Sequence, residues 1–197
     1  MNPATNALGE RSRSVPSARG AANGRNIGRL LFRSLYRLNV VGAGKVPHRG
    51  RLIVAANHIG FLDGPLLFSA SPRPLHLVAK SELFDPPFDK VLSGVGQIPL
   101  DYESPDRAAV QDALGVLEDG RALGIFPEAH RGRGDFARIR HGIAYLHSRT
   151  NAPIVPAAIF GTRLTGMTKN QLPKARSELT VVFGEPFRVA ALGDIDS

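Results

Sequence analysis

Residues 52–70 read LIVAANHIGFLDGPLLFSA. The first five are an apolar run of the length of a buried strand. Asn57-His58 ends it, and Asp63 follows five residues after the histidine. LLFSA then predicts a short helix. The same rhythm continues downstream. LHLVAK (75–80) and GQIPL (96–100) predict strands. Ser104-Pro105-Asp106 predicts a helix start, with Ser104 as N-cap and proline at the first position. That helix runs through Ala109, Ala113, Leu114 and Leu117 to Gly120. ALGIF (122–126) predicts a strand stopped by Pro127, and HGIAYLHSR (141–149) a helix. APIVPAAIF (152–160) is a strand whose internal Pro156 predicts an edge or a bulge. ELTVVFG (178–184) is the last strand. Strands alternating with helices predict a single α/β domain: a mixed, largely parallel central sheet flanked by helices.

Composition agrees with one folded unit. The chain has 197 residues, 43% of them hydrophobic and 21% charged, enough for a sizeable core. It has no cysteine, which excludes a disulfide scaffold, a cysteine-ligated zinc site and a cysteine nucleophile. No metal is expected, because the histidines lack ligand spacing with other histidines or carboxylates. No stretch approaches the roughly 18–20 apolar residues that span a bilayer. The N-terminus lacks the apolar run of a secretory signal. The expectation at this point is a soluble or peripheral intracellular protein.

The charge is unevenly spread. Net charge is +8, yet residues 1–51 hold ten basic residues and only Glu10 as acid. The remainder is nearly balanced. An anionic partner for the N-terminal quarter follows, either a membrane surface or nucleic acid. Residues 1–25 are rich in Ser, Ala, Gly, Asn and Arg and predict a disordered basic tail. Residues 26–39, NIGRLLFRSLYRLN, predict a helix. At about 100° per residue, Ile27, Leu31, Leu35 and Leu38 share one face, with Arg29, Arg33 and Arg37 opposite. Such a helix suits the interface of an anionic bilayer. It equally suits a helix that covers the core with those apolar residues. The chain thus divides into the tail, an amphipathic helix over 26–41 and a domain over 42–197. The tail has no interleaved aromatics before Phe32 and no helix-turn-helix or finger spacing, so nucleic acid is not the expected partner.

Two strand exits carry unusual polar content, and loops leaving strand ends are where such sheets place function. In the first, a helix starting near Gly60 would fold Asp63 back towards His58. A carboxylate on one ring nitrogen fixes the tautomer, and the other nitrogen then serves as general base. With no cysteine and no G-x-S-x-G elbow, the base would act on a substrate hydroxyl. From spacing alone, a helix-capping aspartate beside a loop histidine is the simpler reading, since H-x4-D recurs by chance. The second exit, PEAHRGRGD (127–135), presents Glu128, His130, Arg131 and Arg133, followed by Arg138 and Arg140. Guanidinium groups grip phosphate in bidentate fashion. A solvated loop with internal ion pairs is the plainer alternative.

Together these loops resemble the lysophosphatidate acyltransferase family of glycerolipid acyltransferases. Its N-H-x4-D block matches Asn57, His58 and Asp63, and its V-A-K-x-E-L-F block matches Val78 to Phe84. G-x-I-x-x-D matches Gly96 to Asp101. F-P-E-G-T-R matches Phe126, Pro127, Glu128 and Arg131. V-P-x-A-I matches Val155 to Ile159. The chain departs from the pattern at Ala129-His130, in place of Gly-Thr, and at Tyr102, in place of an arginine. The resemblance implies acyl transfer from acyl-CoA or acyl carrier protein, with no further cofactor, to the hydroxyl of a lysophospholipid such as 1-acyl-glycerol-3-phosphate. His58 would be the base and Asp63 its orienting partner, without a covalent intermediate. Arg131 would bind the acceptor phosphate, Glu128 would shape that site, and Arg107 and Arg140 would add to it. The departures leave room for a different lipid-like alcohol, or for a non-catalytic lipid- or phosphate-binding member of the fold. The resemblance also favours an anionic membrane surface as partner of the N-terminal helix.

Overall fold

The computed structural model describes residues 16–101, 104–128 and 142–189. Seven strands form one sheet: β1 (Arg37–Val41), β2 (Leu52–Ala56), β3 (Leu75–Lys80), β4 (Ile98–Leu100), β5 (Ala122–Ile125), β6 (Ile154–Phe160) and β7 (Glu178–Phe183). Their spatial order is β1-β7-β6-β2-β5-β3-β4, and every pairing is parallel except β6 with β7. The expected α/β architecture is therefore present, as a mixed and largely parallel sheet.

Helices cover both faces. Successive side chains of a strand point to opposite sides, so a strand buried on both is apolar throughout. In β2, Leu52, Val54 and Ala56 join one core and Ile53 the other. The first core is closed by α1 (Ala18–Leu35) and α2 (Asp63–Ala70), the second by α4 (Arg107–Glu118) and α5 (Gly142–Thr150). The short α3 (Asp89–Gly94) precedes β4.

Several expectations need correction. The N-terminal helix spans 18–35, not 26–39, and Ser17 caps it by accepting from the Gly20 amide. Residues 18–25, expected in the tail, are helical, whereas residues 1–15 lie outside the described residues. Residues 37–41 leave the helix and form β1 beside β7. The buried face of α1 is Ala21, Gly24, Gly28 and Phe32, at helical spacing. A Cβ on Gly28 would stand 2.3 Å from Ser69 Oγ, and one on Gly24 2.5 Å from Val95 Cγ1. Gly28 thus lets α1 lie close against α2, and Gly24 lets it lie close against the residue that follows α3. The face of Ile27, Leu30 and Leu31 points outward, with Ile27 69% and Leu30 73% exposed. The core-covering role for Ile27, Leu31 and Leu35 does not hold.

Asp106, not Ser104, caps α4, its side chain accepting from the Ala109 amide at 2.9 Å. β6 is an interior strand, so the edge expected from Pro156 is absent. The proline sits where the ladder to β7 is interrupted. Phe187 pairs with Ile154 and Phe183 with Ala157, which leaves three residues opposite two, a local bulge.

Candidate active site

The carboxyl ends of β6, β2 and β5 lie side by side, and the site is built on the residues that leave them. Asn57 follows β2 and is clamped to β6. Its side-chain oxygen accepts from the Ile159 amide at 2.7 Å, and its amide nitrogen donates to the Ile159 carbonyl at 3.1 Å. This double hydrogen bond fixes where His58 emerges.

The chain then turns sharply over Ile59–Leu62 into α2, whose first residue is Asp63. The carboxylate folds back as expected. Its Oδ2 lies 2.9 Å from His58 Nδ1 and also accepts from the amides of Ile59, at 2.5 Å, and Gly60, at 2.8 Å. Asp63 is fully buried, while the His58 side chain keeps 21% of its surface exposed. A carboxylate oxygen accepts, so Nδ1 of His58 carries the proton in the pair. Nε2 is left with its lone pair, on a ring that keeps part of its surface exposed. The capping and the dyad readings of Asp63 are thus one arrangement: the same oxygen closes the turn and orients the imidazole.

Phe126, the residue after β5, stacks on the His58 ring with centroids 4.4 Å apart and planes 25° apart. Glu128 is buried, and its Oε1 accepts a long 3.4 Å hydrogen bond from the His58 amide. From the exit of β6, Thr162 donates to Asp63 Oδ1, and Arg163 Nη1 donates to the Ile59 carbonyl at 3.0 Å. Behind Phe126 is an apolar cavity of about 240 Å³, walled by Val78, Leu100, Ala113, Ile125 and Ile143. A larger groove of about 600 Å³ lies at the opposite end of the sheet, between the loop before β2 and the one after α5, lined by Arg49, Arg51 and Arg188.

The structure therefore brings His58, Asp63 and Glu128 together. Arg107 is the exposed first residue of α4, beyond the carboxyl end of β4. Arg131 and Arg140 lie outside the described residues, as do His130 and Tyr102. Sequence reasoning missed Thr162, Arg163 and the stacking role of Phe126. Thr162 and Arg163 follow a strand that runs parallel to β2 and next to it, a pairing that no local sequence pattern signals.

A family model described as Acyltransferase matches residues 37–160. The chain is 30% identical over 130 residues to a 1-acyl-sn-glycerol-3-phosphate acyltransferase of Borreliella burgdorferi, covering 64% of this chain and 52% of that protein. It is 26% identical over 162 residues to a 1-acyl-sn-glycerol-3-phosphate acyltransferase of Bacillus subtilis, covering 81% and 78%. An uncharacterized protein of Mycobacterium tuberculosis is 33% identical over 150 residues, 68% of this chain and 40% of that one. The chain thus spans about half the length of the first curated relatives it matches. The crystal structure of the 1-acyl-sn-glycerophosphate acyltransferase PlsC from Thermotoga maritima superposes with a TM-score of 0.69 over 89% of this chain and 73% of that one. At 21% sequence identity, that likeness shows a shared fold.

Proposed function

The chain belongs to the acyltransferase family, and from that membership we propose that it moves a fatty acyl group from acyl-CoA or acyl carrier protein to the hydroxyl of a lysophospholipid. The observation that carries the proposal is the His58–Asp63 pair at 2.9 Å, with the carboxylate buried and the imidazole reachable.

In this reading Nε2 of His58 takes the proton of the acceptor hydroxyl as its oxygen attacks the thioester carbonyl carbon. The resulting imidazolium is stabilised by Asp63. Collapse of the tetrahedral intermediate breaks the carbon–sulfur bond, and His58 returns the proton to the departing thiolate. Phe126 restricts tilting of the ring, and the apolar cavity behind it suits the acyl chain of the donor. Arg131, Arg140 and Arg107 are assigned to the acceptor phosphate, with Glu128 shaping that side of the site. The 1-acyl-sn-glycerol-3-phosphate named for the relatives is the first acceptor to test.

The N-terminal helix is assigned to an anionic membrane surface, on the cytoplasmic face. Its outward Leu30 and Leu31 lie between Arg29 and Arg33 along the chain, and Ile27 lies between Arg25 and Arg29. No helix of the described residues is long and apolar enough to cross a membrane. The helix ends near the site: the Leu35 carbonyl accepts from the Arg176 amide, Arg37 pairs with Glu178, and the Glu178 carbonyl lies against Gly161. An apolar, basic face that reaches the dyad's end of the sheet would present the site to lipid.

A panel of acyl-CoA and acyl carrier protein donors against lysophospholipid acceptors, read by lipid mass spectrometry, tests the proposal. A diacylated product from at least one pair is expected. Lipid binding without turnover across the panel would instead make the chain a non-catalytic binder.

A further inference from the structure

The two oxygens of Asp63 are engaged from different parts of the chain. Oδ2 faces its own loop, through His58, Ile59 and Gly60. Oδ1 receives the hydroxyl of Thr162, 99 residues away along the sequence, at 2.5 Å. Thr162 is fully buried at the exit of β6. Gly60 packs on it so closely that a Cβ there would stand 3.0 Å from its hydroxyl oxygen.

We infer that Thr162 is a positioning residue of the dyad, its hydroxyl holding Asp63 as the ionised acceptor that orients His58. The inference rests on the reading of His58 as the base and adds a member from a separate strand. A carboxylate rotates about its last bond with little resistance. With only Oδ2 held, by three donors from one loop, its plane would follow every movement of that loop. The Thr162 hydroxyl fixes the second oxygen to the sheet. It also gives a buried carboxylate oxygen a donor. Among the described residues, Glu128 meets the pair at the His58 amide and Arg163 at the Ile59 carbonyl.

The test uses the full chain with Thr162→Val, which removes the donor and keeps the branched shape, and Thr162→Ser, which keeps the donor. Hydrogen bonds to charged groups set the scale: kcat falls about 10- to 100-fold in Thr162→Val. KM for both substrates stays within about twofold. The acid limb of the pH–rate profile moves to higher pH, because a carboxylate with one oxygen unpartnered makes the imidazole–carboxylate pair hold its proton more tightly. Thr162→Ser restores rate and profile. A Thr162→Val chain with parental kcat and an unshifted profile would overturn the inference. If valine prevents folding, Thr162→Ala carries the same comparison. Nitrogen-15 NMR of the His58 ring separates this inference from the acyl-transfer reading. A wild-type chain without turnover would sink that reading alone. The ring spectra would still decide on Thr162: an altered tautomer signal and titration in the variant support it, and identical spectra contradict it.

Discussion

Asn57 shows how much a single side chain can carry here. It satisfies both backbone groups of Ile159 and sets the position from which His58 projects. Asn57→Ala leaves a buried N–H and a buried C=O unpaired, and we expect a loss of about 2–4 kcal/mol. Urea unfolding checks this: the midpoint falls and the slope stays the same. His76 has a different role. It is buried at the amino end of β3, far from the dyad, with Nδ1 on the Gly96 carbonyl and Nε2 facing Arg121. Burial pushes its pKa below the ordinary 6.5; the Gly96 carbonyl opposes the shift and the Arg121 charge adds to it. As pH falls below 6.5 the unfolded chain takes up this proton before the folded one does. Stability is therefore full above that pH and is lost as pH drops towards the folded-state value. In His76→Gln the difference in unfolding free energy between about pH 7.5 and pH 5.5 should shrink; an unchanged difference would contradict this. At this scale the legible part was local. His58 and Asp63 sit five residues apart, and an apolar strand followed by a helix pattern is enough to fold one onto the other. Thr162 reaches Asp63 only through the pairing of β6 with β2, which no local pattern encodes.

The helix α1 carries the largest difference between expectation and structure. Its first two turns, ARGAANGR (18–25), hold no large apolar residue, because the contact with α2 is made by glycine and alanine. Helix signals rest on large apolar side chains at helical spacing, and here those side chains lie on the wrong face for burial. Leu38 continues that same spacing past the helix end, which hid β1. Gly28→Val drives a branched side chain into Ser69 and should cost about 1–3 kcal/mol by overpacking, seen as a lower melting temperature. Replacing Ile27, Leu30 and Leu31 together with glutamate should leave unfolding nearly unchanged, because all three are exposed. The same triple variant should stop cosedimenting with anionic vesicles, and retained cosedimentation would assign membrane binding to another surface. By contrast, the strands buried on both faces, such as LIVAA and ALGIF, were legible from composition alone, because a parallel sheet between helices leaves no polar side to the strand.

Across the whole molecule, two asymmetries coincide. The sheet gathers His58, Glu128 and Thr162 at the carboxyl ends of three neighbouring strands, and the charge gathers in the first quarter of the chain. The helix drawn from that quarter ends at the same side of the sheet. Attraction between exposed arginines and anionic lipid is screened within about 10 Å at 0.1 M salt. Vesicle binding should therefore weaken steeply as salt rises and persist in part through the apolar residues. Binding that is indifferent to salt would show that the arginines contribute nothing. The fold class was readable because strand and helix patterns alternate along the chain. The order of strands was not, because it depends on which strand ends meet in space. The central claim is that the His58 imidazole, oriented by Asp63, removes the proton of an acceptor hydroxyl. It is tested most directly by comparing acyl transfer in the wild-type chain and in His58→Ala, with circular dichroism to establish that both are folded. The account predicts a loss of at least about 100-fold in kcat with the fold retained; a folded His58→Ala chain that turns over at the wild-type rate would contradict it.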